Sequence, residues 1–121
     1  RARGGVAGAH VLAGVSLGSD GRLGGVGLAA DGAAGAAMIR RITILGSISS
    51  SVFAAGVTPG DGSYGNGNDV LAGGVSSGIL VVTARGAVDG TTVFESGRFG
   101  AVRFGKVRII PAADTRLKLL A

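Results

Sequence analysis

The chain has no cysteine and no tryptophan, one histidine, one tyrosine and two prolines. Without cysteine there is no disulfide scaffold, and cysteine usage leaves the compartment open. His10 has no second histidine or cysteine to join it, which excludes a zinc cluster. No Gly-x-Ser-x-Gly or comparable motif turns the many Ser and Thr into a nucleophile–base–acid constellation. Gly-x-x-x-x-Gly-Lys-Ser/Thr is absent, so the glycine-rich stretches are not a phosphate loop. No apolar run reaches the roughly eighteen residues of a membrane-spanning helix. Scarce proline and no Gly-X-Y period exclude collagen. Aromatics are too few to interleave with basic residues as base-stacking platforms, and no recognition-helix motif occurs, so no specific nucleic-acid recognition is expected.

What remains is small, apolar and glycine-rich. The 121 residues suit one domain, 46% of them are apolar, and 25 are Gly. Each interior Gly costs a helix about 1 kcal/mol relative to Ala. A glycine-rich disordered chain would carry more charge and less Val, Ile and Leu, since ordering must be offset by apolar burial. The composition predicts many short strands joined by tight turns.

The sequence repeats itself. Ile39–Val57, IRRITILGSISSSVFAAGV, returns about forty residues later as Ile79–Phe99, ILVVTARGAVDGTTVFESGRF. Ile39 falls on Ile79, Ile42 on Val82, Gly46 on Gly86 and Ile48 on Val88. After one inserted residue, Val52-Phe53 falls on Val93-Phe94 and Gly56 on Gly97. Upstream, His10–Val15 aligns with Val52–Val57, and Gly18 then falls on Gly60. A fixed spacing of this kind marks a repeat architecture whose units bury apolar faces against their neighbours.

Local patterns add detail. Arg41-Ile42-Thr43-Ile44 alternates, which turns Ile42 and Ile44 inward. Further strands are expected at Ser51–Ala54, Ile79–Arg85, Thr91–Glu95, Arg98–Phe104 and Lys106–Ile110, with Pro111 as a stop. Ala9–Val15 and Val26–Ala30 read as strands or simple coil turns. Asp31–Ala37 reads as one helical turn at most, with Asp31 as its cap. Thr58–Asp69, TPGDGSYGNGND, is a loop, and Val70–Ala72 is a short apolar segment after it. Asp114–Ala121 reads as a short helix or a final strand, its leucines a lid over an open end.

The fold class expected is all-β: a parallel β-helix or β-solenoid of roughly forty-residue repeats, each with several short strands. The alternative is an antiparallel β-sandwich. The chain divides as a single repeat domain over 1–121. A Gly/Ala-rich copy spans 5–37, fuller copies span 38–78 and 79–110, and a cap spans 111–121. The N-terminal RARGGVAGAHVLAG has the charges of a signal peptide, but Gly and His break its apolar stretch. A start without Met suits a processed product or a piece of something longer.

Ser47–Ala121 resembles the C-terminal repeat region of large exported proteins of planctomycete-type bacteria. The likeness lies in GSISSSVFAAGVTPGDGSYGNGNDVLAGG, an Ile/Val strand ending in Gly, TTVFESGRF and a closing KVRI…D segment. Where that group has Thr-x-Asp-Asp, this chain has Asn66 and then Gly67-Asn68-Asp69, so one acid is an amide. The resemblance implies export and a solenoid-like β fold, and no reaction.

Two candidate sites follow. Asp61, Asn66, Asn68 and Asp69 offer oxygen ligands on a glycine-permissive loop, a calcium candidate without the closing Glu of an EF-hand. The competing reading is a loop of Asx turns bonded to its own backbone. The net charge is +5. Arg98, Arg103, Lys106 and Arg108 make the last third basic, either a solvated face that blunts strand edges or a seat for anionic polysaccharide. Catalysis of glycan cleavage needs paired carboxylates. The sole Glu, Glu95, and Asp89 replace neutral residues of the preceding copy, and charge on an outer face accounts for both. The function expected is therefore non-catalytic: a structural module of an extracellular cell-surface or matrix protein, self-associating head-to-tail. The alternatives are a binding module for anionic glycan or the cell envelope, and a polysaccharide-acting β-helix enzyme.

Overall fold

The computed structural model describes every residue except 18, 23–27, 29–30 and 34. Among the described residues there is no α-helix, and the protein is all-β with several mostly parallel sheets. The first strands are β1 (Val6–Ala7), β2 (His10–Ala13), β3 (Val15–Ser16), β4 (Gly32–Ala33) and β5 (Met38–Ile39). Next come β6 (Ile42–Ile44), β7 (Ile48–Ser49), β8 (Val52–Ala55), β9 (Val57–Thr58) and β10 (Val70–Leu71). Then follow β11 (Gly78–Ala84), β12 (Val93–Ser96), β13 (Phe99–Phe104), β14 (Val107–Ile109) and β15 (Leu117–Leu119). A 3-10 turn at Pro111–Ala113 precedes the last strand.

The sequence repeat is a hydrogen-bonding register. In one parallel sheet, ordered β15-β12-β8-β2, Val52 pairs with Val93 and Phe53 with Phe94, while His10 pairs with Val52. In a second sheet Ile39 pairs with Ile79 and Ile42 with Val82, and β13 then adds in parallel to β11. A third, shorter row joins Val6 to Ile48 and Ile48 to Val88, again in parallel. The Gly86 N–H donates to the Gly46 carbonyl. Gly18 lies outside the described residues, as does most of the expected Val26–Ala30 segment.

The inward positions carry the β-branched and aromatic residues. Ile42 and Val82 are buried, 8% and 1% exposed, and Arg41, which precedes Ile42, stays in solvent. Ile44, Ile48, Ile79, Phe53, Phe94, Val102, Phe104 and Leu117 complete the same core. Phe94 lies between Phe53 and Phe104, at centroid distances of 4.7 and 5.7 Å. Burial of each ring contributes about 1.5–3 kcal/mol, and each ring contact adds about 0.5–1.5 kcal/mol. Between rows the corners are glycine because the backbones nearly touch. A Cβ on Gly86 would stand 2.5 Å from the Gly46 carbonyl carbon, and one on Gly46 would stand 2.5 Å from the Gly5 nitrogen.

The structure corrects two expectations. An antiparallel sandwich does not form, because the long ladders are parallel. Antiparallel pairing is confined to β13–β14, β9–β10 and β3–β4. The helical turn at Asp31–Ala37 is replaced by β4, whose Gly32 pairs with Ser16 and Ala33 with Val15. Gly32 and Gly35 weaken the helix, and the free edge of β3 offers the backbone a partner. Of the two readings of Asp114–Ala121, the strand forms: β15 pairs with β12 and buries Leu117.

Candidate functional site

The outer face of the β2-β8-β12-β15 sheet is covered by the loop between β9 and β10. Alternation along β12 turns Phe94 into the core and sends Val93 and Glu95 to the other face. There Val52, Ala54 and Val57 pack with Tyr64 of the loop, joined by Leu12, Val15 and Leu120. Gly65 passes so close that a Cβ on it would stand 2.9 Å from Val52 Cγ2 and 3.8 Å from Val93 Cβ. Lys118 of β15 donates from Nζ to the Gly65 carbonyl at 3.2 Å, tying the loop to the last strand.

Beneath this cover lies a cluster of acids. Glu95 is 0% exposed and Asp69 is 9% exposed. Asp69 Oδ2 accepts the backbone N–H groups of Gly65 and Asn66, so it fixes the loop's own turn. Tyr64 donates its hydroxyl to Asp31 Oδ2 at 3.5 Å. No donor reaches Glu95 Oε1, Glu95 Oε2 or Asp69 Oδ1 in hydrogen-bond geometry. Burial pushes the Glu95 carboxyl up to about 8, helped by a side-chain hydrogen bond and the negative charge of Asp69. The Gly65 backbone N–H and the Lys118 ammonium pull it the other way. Burial, and then the charge of Asp31, also raise Tyr64 above the usual phenol value. A carboxyl so placed favours its protonated form.

Three of the four residues of the calcium candidate gather, with the Asn66 and Asn68 side chains hydrogen-bonding Asp61, while Asp69 binds the loop's own amides. Asp61 is exposed and Asp69 is buried. Asp61 accepts the Asn66 side-chain amide at 3.0 and 3.1 Å and the Ser63 N–H at 3.0 Å. Those bonds hold its carboxyl below the usual range. Asn66 Oδ1 accepts the Asn68 N–H, and the Asn68 residue itself is exposed. These side chains are engaged with one another and with loop N–H groups in Asx turns. Among the described residues no three acidic or histidine side chains are grouped as metal ligands.

Of the basic residues, the structure brings Arg103 and Arg108 together as direct cross-strand partners on β13 and β14. Thr83 lies beside Arg103 on the same ladder. Arg98 precedes β13, Lys106 sits in the β13–β14 turn, and all four cations are exposed. The ion pair among the described residues is Arg116 with Asp114, so none of the four has an acid within bridging distance.

Asp89 and Glu95 are not brought together. The hydrogen bonds of Asp89 go to Ser50, Thr91 and Thr92, where it caps a turn. Glu95 is not charge on a solvated outer face, as the sequence suggested: the face is outer to the core, but the loop buries it. Sequence reasoning missed Glu95 as a buried group, together with Asp31, Tyr64 and Lys118. The available signal was the ladder column Leu12–Ala54–Glu95, in which one acid follows apolar residues.

No protein-family model, curated protein or solved structure matches this chain.

Proposed function

We propose that the chain is a non-catalytic structural module, a parallel β-solenoid segment of an exported cell-surface or matrix protein that associates head-to-tail. The observation that carries this reading is the in-register stacking of equivalent residues in three separate rows, His10–Val52–Val93, Ile42–Val82–Val102 and Val6–Ile48–Val88. Stacked rows leave two ends. At one end β2 pairs with β8 on one side, and a largely apolar opening of about 270 Å³ is lined by Val6, Val11, Ile39, Ile42 and Phe53 together with Arg1 and Arg41. At the other, β15 pairs with β12 and Leu119 is exposed. Unpaired strand edges beside apolar residues are templates for another chain, and unlike ends give a heterologous, propagating contact. The likeness of Ser47–Ala121 to exported repeat proteins supports the extracellular setting. Negative-stain microscopy and sedimentation across a concentration series test this. Rods or oligomers are expected to grow with concentration, and Val11→Lys, a charge at the apolar opening, is expected to abolish them without loss of far-UV circular dichroism. Monodisperse particles at high concentration would overturn the proposal.

A second reading rests on the Arg103–Arg108 pair. Like charges directly opposite one another destabilise a ladder, and an anionic partner offsets that repulsion. The module then binds acidic glycan through Arg103 and Arg108, with Arg98 and Lys106 nearby. Retention on an immobilised anionic polysaccharide is expected to fall with salt and with Arg103→Ala. Retention indifferent to salt rules the electrostatic contact out.

A further inference from the structure

We propose that Glu95 and Asp69 form a proton-dependent latch that holds the β9–β10 loop closed over the outer face of the β2-β8-β12-β15 sheet, and that loss of the shared proton releases it. The geometry has three parts. Glu95 is fixed on β12, in the middle of a parallel ladder between Ala54 and Lys118, so the sheet holds it still. Asp69 is fixed to the loop by the Gly65 and Asn66 amides, so it moves with the loop. Both Glu95 oxygens and Asp69 Oδ1 are buried without a hydrogen-bond partner, and a carboxyl–carboxylate hydrogen bond satisfies them only while a proton is present.

The surroundings oppose removal of that proton. The groups facing Glu95 are Asp69 and Tyr64 from the loop, Lys118 from β15, and Asp31 ahead of β4 through its contact with Tyr64. β8 and β2 contribute Ala54 and Leu12 to the column, and His10 of β2 lies in the neighbouring column, exposed. Beside Glu95, the Asp69 carboxylate is countered by the Lys118 ammonium alone. Lys118 offsets one negative charge while it also holds Gly65, and ionised Glu95 leaves an excess in a site with little water. The loop is the part that yields, since it contains no strand between Thr58 and Val70, whereas Glu95 sits in a four-stranded sheet.

The sign follows from the direction of the shift. Glu95 in the closed protein titrates above its ordinary value of 4.5, at about 8. The closed form thus binds an extra proton between those limits. Closure is fully favoured below the ordinary carboxyl value and weakens as pH rises through the window toward 8. Release bares Val52, Ala54, Val57 and Val93, an apolar strip on the flank of the stack.

Tyr64 reports on the loop directly, being the one tyrosine in a chain without tryptophan. Its fluorescence quenching by acrylamide is measured from about pH 5.5 to about pH 9, with far-UV circular dichroism recorded in parallel. Quenching is expected to rise roughly twofold as pH climbs between the ordinary carboxyl value of 4.5 and about 8, with its midpoint inside that window, while the dichroism stays constant, the signature of local opening. Glu95→Gln supplies a donor without a titrating proton and is expected to abolish the transition, leaving Tyr64 protected throughout. Should Glu95→Gln fail to fold, Asp69→Asn serves, and its midpoint is expected to fall by at least about one pH unit as the acidic neighbour is removed. A flat wild-type profile overturns the latch, and so does a glutamine variant that titrates like the wild type. Loss of far-UV signal along with protection overturns it as well, since that is global unfolding. Increased quenching on adding a chelator at about pH 6 overturns it in favour of a bridging cation.

Discussion

The rings of Phe53 and Phe94 stack face to face, with centroids 4.7 Å apart and planes 8° from parallel. They are the same position of two successive copies, brought one row apart by the parallel ladder. Coplanar stacking suits a parallel, in-register pair, which sends both side chains to the same face of the sheet. The contact is thus a product of the repeat itself.

Phe94→Ala is expected to destabilise the protein by about 3–5 kcal/mol, through lost burial and the cavity left between Phe53 and Phe104. Phe94→Leu keeps most of the volume and costs less. Urea unfolding of both variants checks the order. Equal midpoints for the two would refute a stacked aromatic core.

Gly86→Ala is expected to cost about 1–3 kcal/mol through crowding against the next row. Its Cβ meets the Gly46 backbone, which has no flexible side chain to move aside. Gly90→Ala is the control, since nothing lies within 4 Å of its added Cβ. Thermal melts of the two variants should separate clearly, with Gly90→Ala close to the wild type.

Asp89 accepts hydrogen bonds from Thr91 and Thr92 and from the Ser50 backbone of the preceding row. These bonds, chiefly from Thr92, lower its carboxyl below the ordinary value of 3.8. Its contribution is therefore complete above that value and is lost as pH falls through the depressed one. Asp89→Ala is expected to lower the melting temperature at neutral pH, and the gap to the wild type should close in strong acid. A gap that stays constant with pH would show the loss to be steric.

Arg116 ties the segment ahead of β15 to the preceding row. Its guanidinium donates to the Val88 carbonyl at 2.7 Å, pairs with Asp114 at 2.6 Å and lies 4.5 Å from the Phe104 ring centre. Lysine cannot hold all three, so Arg116→Lys is expected to cost about 1–2 kcal/mol. The direct check is whether the charge-conserving variant melts with the wild type; if so, the fork geometry contributes nothing.

The rows were legible in the sequence because columns repeat residue type. Ile42 over Val82 and Val52 over Val93 are β-branched on β-branched, and Gly46 over Gly86 marks a corner that nothing larger fits. The inward set followed from period-two alternation around Ile42 and Ile44. The outer face was not legible in the same way. Glu95 reads as a solvated acid by local pattern, and its burial depends on a loop that starts at Pro59 and returns over β8 and β12. That return is set by Tyr64, Gly65 and Lys118, residues distant in sequence from Glu95 or unlike it in chemistry. Asp31–Ala37 misled for a related reason: its helix signal was local, and the strand edge that captured it belonged to Val15–Ser16.

The reversed strand β14 has a consequence for growth. Elsewhere in its sheet each row is laid down in the same direction as the last, so duplication of a forty-residue segment lengthens the stack by about 4.8 Å per row without redesign. β14 turns back on β13 and ends that series on its side, whereas the outer edge of β2 runs in the common direction. The last row therefore presents two unlike edges, a reversed strand that finishes one sheet and the parallel β15 that leaves its neighbour open, so an added row can continue only the second.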